Sequence, residues 1–227
     1  MLDNGWTFNK TFENASSDRL FQSKFLYEIY QKSDPLVNTR VTVPIFWDKL
    51  EGTIVNNESS EIIRMFNTSF NQLTKNFDDF YPAHLKSDID TMNDFIYKNI
   101  NNGVYKVGFA TNQTAYEAAA FDLFRALDSL EKKLQNQQYL IGDILTEADI
   151  RLIPTLLRFD CVYYTHFKCN FKRIREYPAL FKYTKALYEM PEIKSTTNFN
   201  HIKRHYYFSH DMINPYRIVP IGPKDIF

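Results

Sequence analysis

Residues 40–66 read RVTVPIFWDKLEGTIVNNESSEIIRMF, and the fold is read outward from them. Val41, Val43, Ile45 and Trp47 alternate with Thr42, Phe46 and Asp48, the period-two pattern of a strand. Glu51-Gly52 carries the chemistry of a hairpin turn, and Thr53-Ile54-Val55 forms the return strand. Residues 56–60, NNESS, then open a helix whose apolar face is Ile62, Ile63 and Phe66.

Pro44 offers no ladder donor, so it marks an edge or a break in the strand. A cis Val43–Pro44 peptide is expected there, leaving the Val43 N–H and C=O to pair with an extended peptide. The helix start that carries Ser59 and Ser60 presents free N–H groups and hydroxyls to a carboxylate, and Glu58 beside it suits an ammonium. Those three features together fit a small zwitterionic peptide. From pattern alone a plain capped helix following a hairpin is the commoner explanation.

Composition narrows the classes. A chain of 227 residues with 44% hydrophobic content can bury one large core or two small ones. Lys and Arg number 27 against 27 Asp and Glu, which argues against nucleic acid or an anionic membrane as partner. Six glycines and no G-x-G-x-x-G argue against a dinucleotide fold. Two cysteines, no signal sequence and no long apolar run point to a reduced, cytoplasmic protein without membrane attachment. No Cys/His cluster has metal-ligand spacing, so no metal site is expected.

Outside the opening stretch, residues 1–18 read as polar loop around Gly5-Trp6-Thr7-Phe8, and residues 19–32 as an amphipathic helix bearing Leu20, Phe25 or Lys24, Ile29 and Tyr30. Residues 67–82 read as an extended linker anchored by Phe70, Phe77 and Phe80. Beyond it the pattern is helical. Residues 86–101 align Ile89, Met92, Phe95, Ile96 and Ile100, and residues 115–134 are expected to bury Ala118, Phe121, Leu123, Phe124, Leu127 and Leu130. Thr146-Glu147-Ala148-Asp149 is a capping box opening a helix that runs to Tyr164. A further helix covers 178–189, and the proline-punctuated tail 199–227 reads as irregular. The fold class is therefore α/β followed by all-α, with an α/β domain over residues 1–80 and a helical domain over 81–227.

V-T-V-P-x-x-W-D-K followed by N-E-S-S-E-I-I-R-M, with G-W-T-F before it and Y-L-I-G-D-x-L-T-E-A-D and H-F-K-C-N after it, resembles the glutathionyl-hydroquinone reductases, or Xi-class glutathione transferases. The resemblance runs through most of the chain. It implies a glutathione-transferase fold, a thioredoxin-like domain followed by an all-helical one, and a homodimer. It also implies an enzyme that uses glutathione as cosubstrate to remove glutathione from glutathionyl-hydroquinones. By the same resemblance, Trp6 packs on glutathione, Arg40 takes its glycine carboxylate and Val43 pairs with its cysteine backbone. Glu58 and Ser59 hold the γ-glutamyl end, and Val41 and Thr42 complete the glutathione-binding set. Tyr105, Tyr163 and Tyr206 match the family's catalytic pocket tyrosines, which bond the substrate oxygen and lower the pKa of the attacking thiol.

The family's nucleophile lies in a Cys-Pro-[Trp or Tyr] motif that residues 1–227 do not contain, so the chain is expected to be a truncated version lacking the first strand and helix. Cys161 and Cys169 read as structural thiols, and Cys161, two residues from Tyr163, is expected to face away from it. His201 and His205 read as helix-end or surface histidines. The alternative to the enzyme is a non-catalytic glutathione-binding or scaffold module derived from the same family.

Overall fold

The structure is a computed structural model that describes residues 5–8, 11 and 15–223; expectations falling on residues 1–4, 9–10, 12–14 and 224–227 lie outside the described residues. The chain forms two compact units, Met1–Asp78 and Asp79–Phe227.

In the first unit, Trp6 and Phe8 are tied to the segment before the first helix: Leu26 N donates to Trp6 O at 3.0 Å and Phe8 N to Lys24 O at 2.9 Å. The helix expected from residue 19 begins only at Leu26, as α1 (Leu26–Ser33). Its early residues are diverted by Asp18, whose carboxylate accepts from Leu20 N at 2.9 Å and Ser23 N at 3.0 Å. A side chain that satisfies local amides in this way competes with the helix, and Gln22 follows into the left-handed region at φ 56°. Glu28 then closes the helix start by accepting from Phe25 N at 2.9 Å.

The strand read from Val41 pairs only over β1 (Phe46–Asp48), which lies antiparallel to β2 (Thr53–Asn56) with Trp47 opposite Ile54. Residues 41–45 stay outside the ladder, as a proline without an N–H requires, and the Val43–Pro44 peptide is cis. Asp48 shapes the turn by accepting from Leu50 N at 2.7 Å and Glu51 N at 2.9 Å, and Gly52 supplies the positive φ of 65°. Helix α2 (Ser59–Thr68) buries Ile62 and half-buries Ile63, but Phe66 is 54% exposed. It packs instead on Phe46 and Phe70, at centroid distances of 5.3 and 5.6 Å. The expected linker is interrupted by α3 (Asn71–Thr74), and Phe77 is exposed rather than an anchor. The small core gathers Leu26, Ile29 and Tyr30 with Val41, Ile45, Trp47 and Ile54 against them.

The second unit is all-helical among its described residues. Helix α4 (Lys86–Ile96) continues through a π-helical turn, Tyr97–Asn101, into α5 (Gly103–Gly108). The long α6 (Gln113–Leu134) starts on Asn112, whose side chain accepts from Ala115 N at 2.9 Å. It buries Ala120, Leu123, Phe124, Leu127 and Leu130. Ala118 and Phe121, expected inside, are exposed, because the buried stripe of α6 runs through Ala120 and Phe124 instead; Phe121 lies on Phe171, 5.5 Å away.

Helix α7 (Glu147–Arg158) opens on the expected capping box, passes through a second π-helical turn, Phe159–Tyr163, and ends in α8 (Tyr164–His166). Helices α9 (Pro178–Tyr188) and α10 (Pro191–Thr196) follow. The tail read as irregular contains α11 (Phe199–Ser209), capped by Asn198 accepting from His201 N at 3.0 Å. Its helical state is secured by burial of Tyr206 and Tyr207 in the core of this unit.

Candidate functional site

The residues expected to hold glutathione all belong to the first unit. Arg40, Glu58 and Ser59 are exposed, Val43 is 47% exposed and Trp6 37%. The Tyr30 hydroxyl fixes the approach to Val43, donating to Thr42 O at 2.9 Å while Thr42 N donates to it at 3.3 Å. Asn57 Nδ2 donates to the same hydroxyl at 3.0 Å and to Thr42 Oγ1 at 3.3 Å, tying the segment to the start of α2. Thr42 is thus occupied by the protein itself. Val43, one residue on, makes no backbone hydrogen bond among the described residues, so its N–H and C=O are available to an extended partner.

Glu58 stands at the N-cap of α2 without a side-chain capping bond, and its own N–H donates to Asn56 Oδ1 at 2.7 Å. The first intrahelical bonds come from Glu61 N and Ile62 N to Glu58 O, so the amides of Ser59 and Ser60 face outward as donors. An open backbone segment at Val43, an unencumbered carboxylate and two helix-start amides fit a peptide carrying both an ammonium and a carboxylate.

The three candidate tyrosines come together in the second unit. Tyr206 Oη lies 2.7 Å from Tyr105 Oη and 2.9 Å from Tyr163 Oη, forming one hydrogen-bonded chain across residues far apart in sequence. Two π-helical turns precede or carry its members: Tyr97–Asn101 leads into α5 with Tyr105, and Phe159–Tyr163 ends on Tyr163. Each such turn inserts an extra residue and rotates the following face, a device frequent at functional sites. Phe167 underlies the cluster, stacked on Tyr163 at 5.3 Å and tilted on Tyr105 at 5.3 Å. Gly108 makes room for it, since a Cβ there would lie 2.3 Å from Phe167 Cγ.

Tyr163 is buried and Tyr105 half-exposed, so the chain has a dry end and a wet end. Burial and the neighbouring phenols push the pKa of Tyr163 well above the ordinary phenol value, and burial pushes that of Tyr206 upward too. Three hydroxyls joined by two links use two of their three protons internally, which leaves one to be offered outward.

Both cysteines are buried and unpaired. Burial pushes the Cys161 thiol up to about 12 and the Cys169 thiol upward as well. Cys161 Sγ faces the carbonyls of Leu157 and Arg158, at 3.5 and 3.6 Å. Neither thiol is poised to ionise. Cys161 also lines a cleft of about 350 Å³ with Asp160, Arg173, Arg175 and Tyr207, and none of the three site tyrosines borders it.

Of the two histidines expected at a helix end or surface, His201 does lie in the first turn of α11, and His205 does not. His205 lies within α11 rather than at a surface or helix end, half-buried with its ring 5.1 Å from that of Tyr206, and burial lowers its pKa to about 4. Sequence reasoning passed over His166 and His210, which are buried with Nε2 and Nδ1 3.2 Å apart. Only their proximity in space marks them, and no sequence spacing does. Among the described residues no cluster of His, Cys, Asp or Glu is arranged for a metal, and no helix is long and apolar enough to cross a membrane.

A small α/β unit with a cis-proline loop, followed by a helical unit with a buried capping box, defines the class: this is a glutathione-transferase fold. The family model "Glutathione S-transferase, C-terminal domain" matches residues 113–186. The chain is 52% identical to glutathionyl-hydroquinone reductase YqjG of Escherichia coli K12, over 98% of this chain and 68% of that protein. It is 48% identical to glutathionyl-hydroquinone reductase PcpF of Sphingobium chlorophenolicum, over 98% of this chain and 71% of that one. Among solved structures, glutathione-bound YqjG superposes with a TM-score of 0.97, covering 99% of this chain and 73% of that one. Glutathione-S-transferase Xi of Phanerochaete chrysosporium, 55% identical, gives 0.95 over 98% of this chain and 77% of that one. The chain belongs to the glutathionyl-hydroquinone reductases, the Xi-class glutathione transferases.

Proposed function

We propose that this chain serves the glutathione-dependent reduction of glutathionyl-hydroquinones, with glutathione held by the first unit and the quinol oxygen by the tyrosines of the second. The observation that carries this reading is the hydrogen-bonded chain Tyr163–Tyr206–Tyr105, whose hydroxyls lie 2.9 and 2.7 Å apart. The buried Tyr163 hydroxyl has Tyr206 as its one hydrogen-bond partner among the described residues, so its proton is satisfied by donating to Tyr206, which donates in turn to Tyr105. The remaining proton is then presented at Tyr105, the wet end, to an oxygen of the substrate. A neutral phenol of this kind both stacks on a quinol ring and donates to its oxygen.

On the glutathione side, Val43 pairs with the cysteine backbone, Arg40 takes the glycine carboxylate, and Glu58 with Ser59 holds the γ-glutamyl end. Trp6 covers the tripeptide, while Val41 and Thr42 set the position of Val43 more than they touch the ligand. In the reaction, a cysteine thiolate attacks the thioether sulfur of the substrate and forms a mixed disulfide. The electron pair of the broken C–S bond takes a proton from solvent at the ring carbon, releasing the quinol, and a second glutathione thiolate displaces the cysteine, leaving as glutathione disulfide. The buried Cys161 and Cys169 do not supply that thiolate, which belongs instead to the family's Cys-Pro motif, not among residues 1–227. The two unpaired cysteines agree with a reducing, cytoplasmic setting. A homodimer is carried over from the family resemblance and is checked by sedimentation.

The test joins residues 1–227 to a relative's Cys-Pro segment. Turnover of a glutathionyl-hydroquinone is expected from the fusion, is abolished by Cys→Ser in the added segment, and is unaffected by Cys161→Ser with Cys169→Ser. Turnover by residues 1–227 alone that survives the latter pair would refute the thiol assignment. Nothing observed favours a scaffold over the enzyme.

A further inference from the structure

Tyr206 is the middle hydroxyl of the chain, so its placement decides whether the outer two are linked at all. It stands in the last turn of α11, where helices ordinarily fray. What closes that turn is His210: its N–H donates to Tyr206 O at 3.3 Å, and its ring meets the Tyr206 ring edge-on at 5.6 Å. The His210 ring is itself held by His166 of α8, with Nδ1 and Nε2 3.2 Å apart and the two rings 12° from parallel. Phe167 stacks on both imidazoles, and it is the same ring that underlies Tyr105 and Tyr163.

We propose that His166 and His210 form a neutral imidazole pair that acts as a positioning device for the substrate site, locking the end of α11 to α8 so that the Tyr206 hydroxyl bridges Tyr105 and Tyr163. One imidazole must donate and the other accept, so the bond exists only while at least one of them is uncharged. Burial holds them in that state: it lowers the pKa of His166 to about 4 and that of His210 as well. The arrangement is directional, because His166 uses its Nε2 and His210 its Nδ1. Neither ring reaches the reacting atoms, and both act through Tyr206.

This rests on the reading of the tyrosines as the quinol site, and the test separates the two. Side-chain geometry supplies matched variants: glutamine places its amide where Nε2 lies, and asparagine where Nδ1 lies. His166→Gln and His210→Asn therefore keep a partner in place, whereas His166→Asn and His210→Gln misplace it at similar size and polarity. In residues 1–227 labelled with [13Cζ]tyrosine, the Tyr206 resonance is assigned by its loss in Tyr206→Phe and followed in all four variants, with hydroquinone as the binding probe. The expectation is a displaced Tyr206 resonance and hydroquinone affinity weakened about fivefold, the scale of one neutral hydrogen bond, in His166→Asn and His210→Gln only. Glutathione affinity stays unchanged in all four. An unmoved Tyr206 resonance in every variant overturns the proposal, and so does equal displacement in all four, which would show packing alone. If wild-type protein does not bind hydroquinone, the quinol reading fails, and the resonance still decides the positioning role.

Discussion

Replacing Asp149 by alanine removes far more than a helix cap. A capping side chain is ordinarily worth about 1 kcal/mol. Asp149, however, is fully buried and accepts four hydrogen bonds: from Leu140 N at 2.9 Å, Thr146 N at 2.9 Å, Thr146 Oγ1 at 3.2 Å and the Tyr183 hydroxyl at 2.7 Å. It thereby joins the loop before α7, the first turn of α7 and the middle of α9. Burial pushes its pKa upward while these four donors pull against that shift. Truncation leaves the Leu140 amide and the Tyr183 hydroxyl buried without an acceptor, and each such orphan costs about 1–3 kcal/mol. With the cap lost as well, a destabilisation of about 4 kcal/mol is expected, since the orphaned groups find some relief in relaxation. Urea unfolding followed by circular dichroism at 222 nm measures it as a fall in midpoint at constant slope. Tyr183→Phe, which removes one donor and leaves the carboxylate three, should cost about 1 kcal/mol in the same assay. A loss of only about 1 kcal/mol for Asp149→Ala would refute the reasoning and reduce Asp149 to an ordinary cap.

Tyr206→Phe cuts the phenol chain in the middle and strands the buried Tyr163 hydroxyl, so hydroquinone affinity by calorimetric titration should fall about tenfold. Gly108→Ala sets a methyl against the Phe167 ring and should destabilise by about 2–3 kcal/mol in urea, the scale of core overpacking. In the native protein a thiol reagent such as a disulfide dye should label neither Cys161 nor Cys169 at pH 8, with both reacting after denaturation; native labelling would contradict their burial. The depressed pKa values of His166 and His205, each about 4, mean that the unfolded chain binds more protons than the folded one between about 6.5 and 4. Stability is therefore retained above that window and lost as pH falls through it, visible as a declining urea midpoint that flattens in His166→Gln.

The opening stretch was legible because its signals are local. Pro44 breaks a ladder wherever it stands, Gly52 adopts positive φ without penalty, and Thr146 with Asp149 closes a helix start through bonds spanning three residues. Periodicity misleads where a side chain outcompetes it or where burial comes from a distant element. Asp18 drew the amides of Leu20 and Ser23 away from a helix that the apolar spacing favoured. Helix α11 had a visible cap in Asn198 but no clean apolar stripe, and it is held by contacts of Tyr206 and Tyr207 with residues more than forty positions earlier. The candidate tyrosines could be named from the resemblance, but composition and spacing give no reason for Tyr105, Tyr163 and Tyr206 to meet. What the sequence by itself determined is where the chain turns, caps and stays out of the ladder, because those depend on φ preferences and short-range donors. Only the tertiary structure decided that three phenols share a hydrogen-bonded chain and two histidines share a bond, because such contacts form when the packing of α5, the turn Phe159–Tyr163, α8 and α11 brings remote side chains within 3 Å or so of each other.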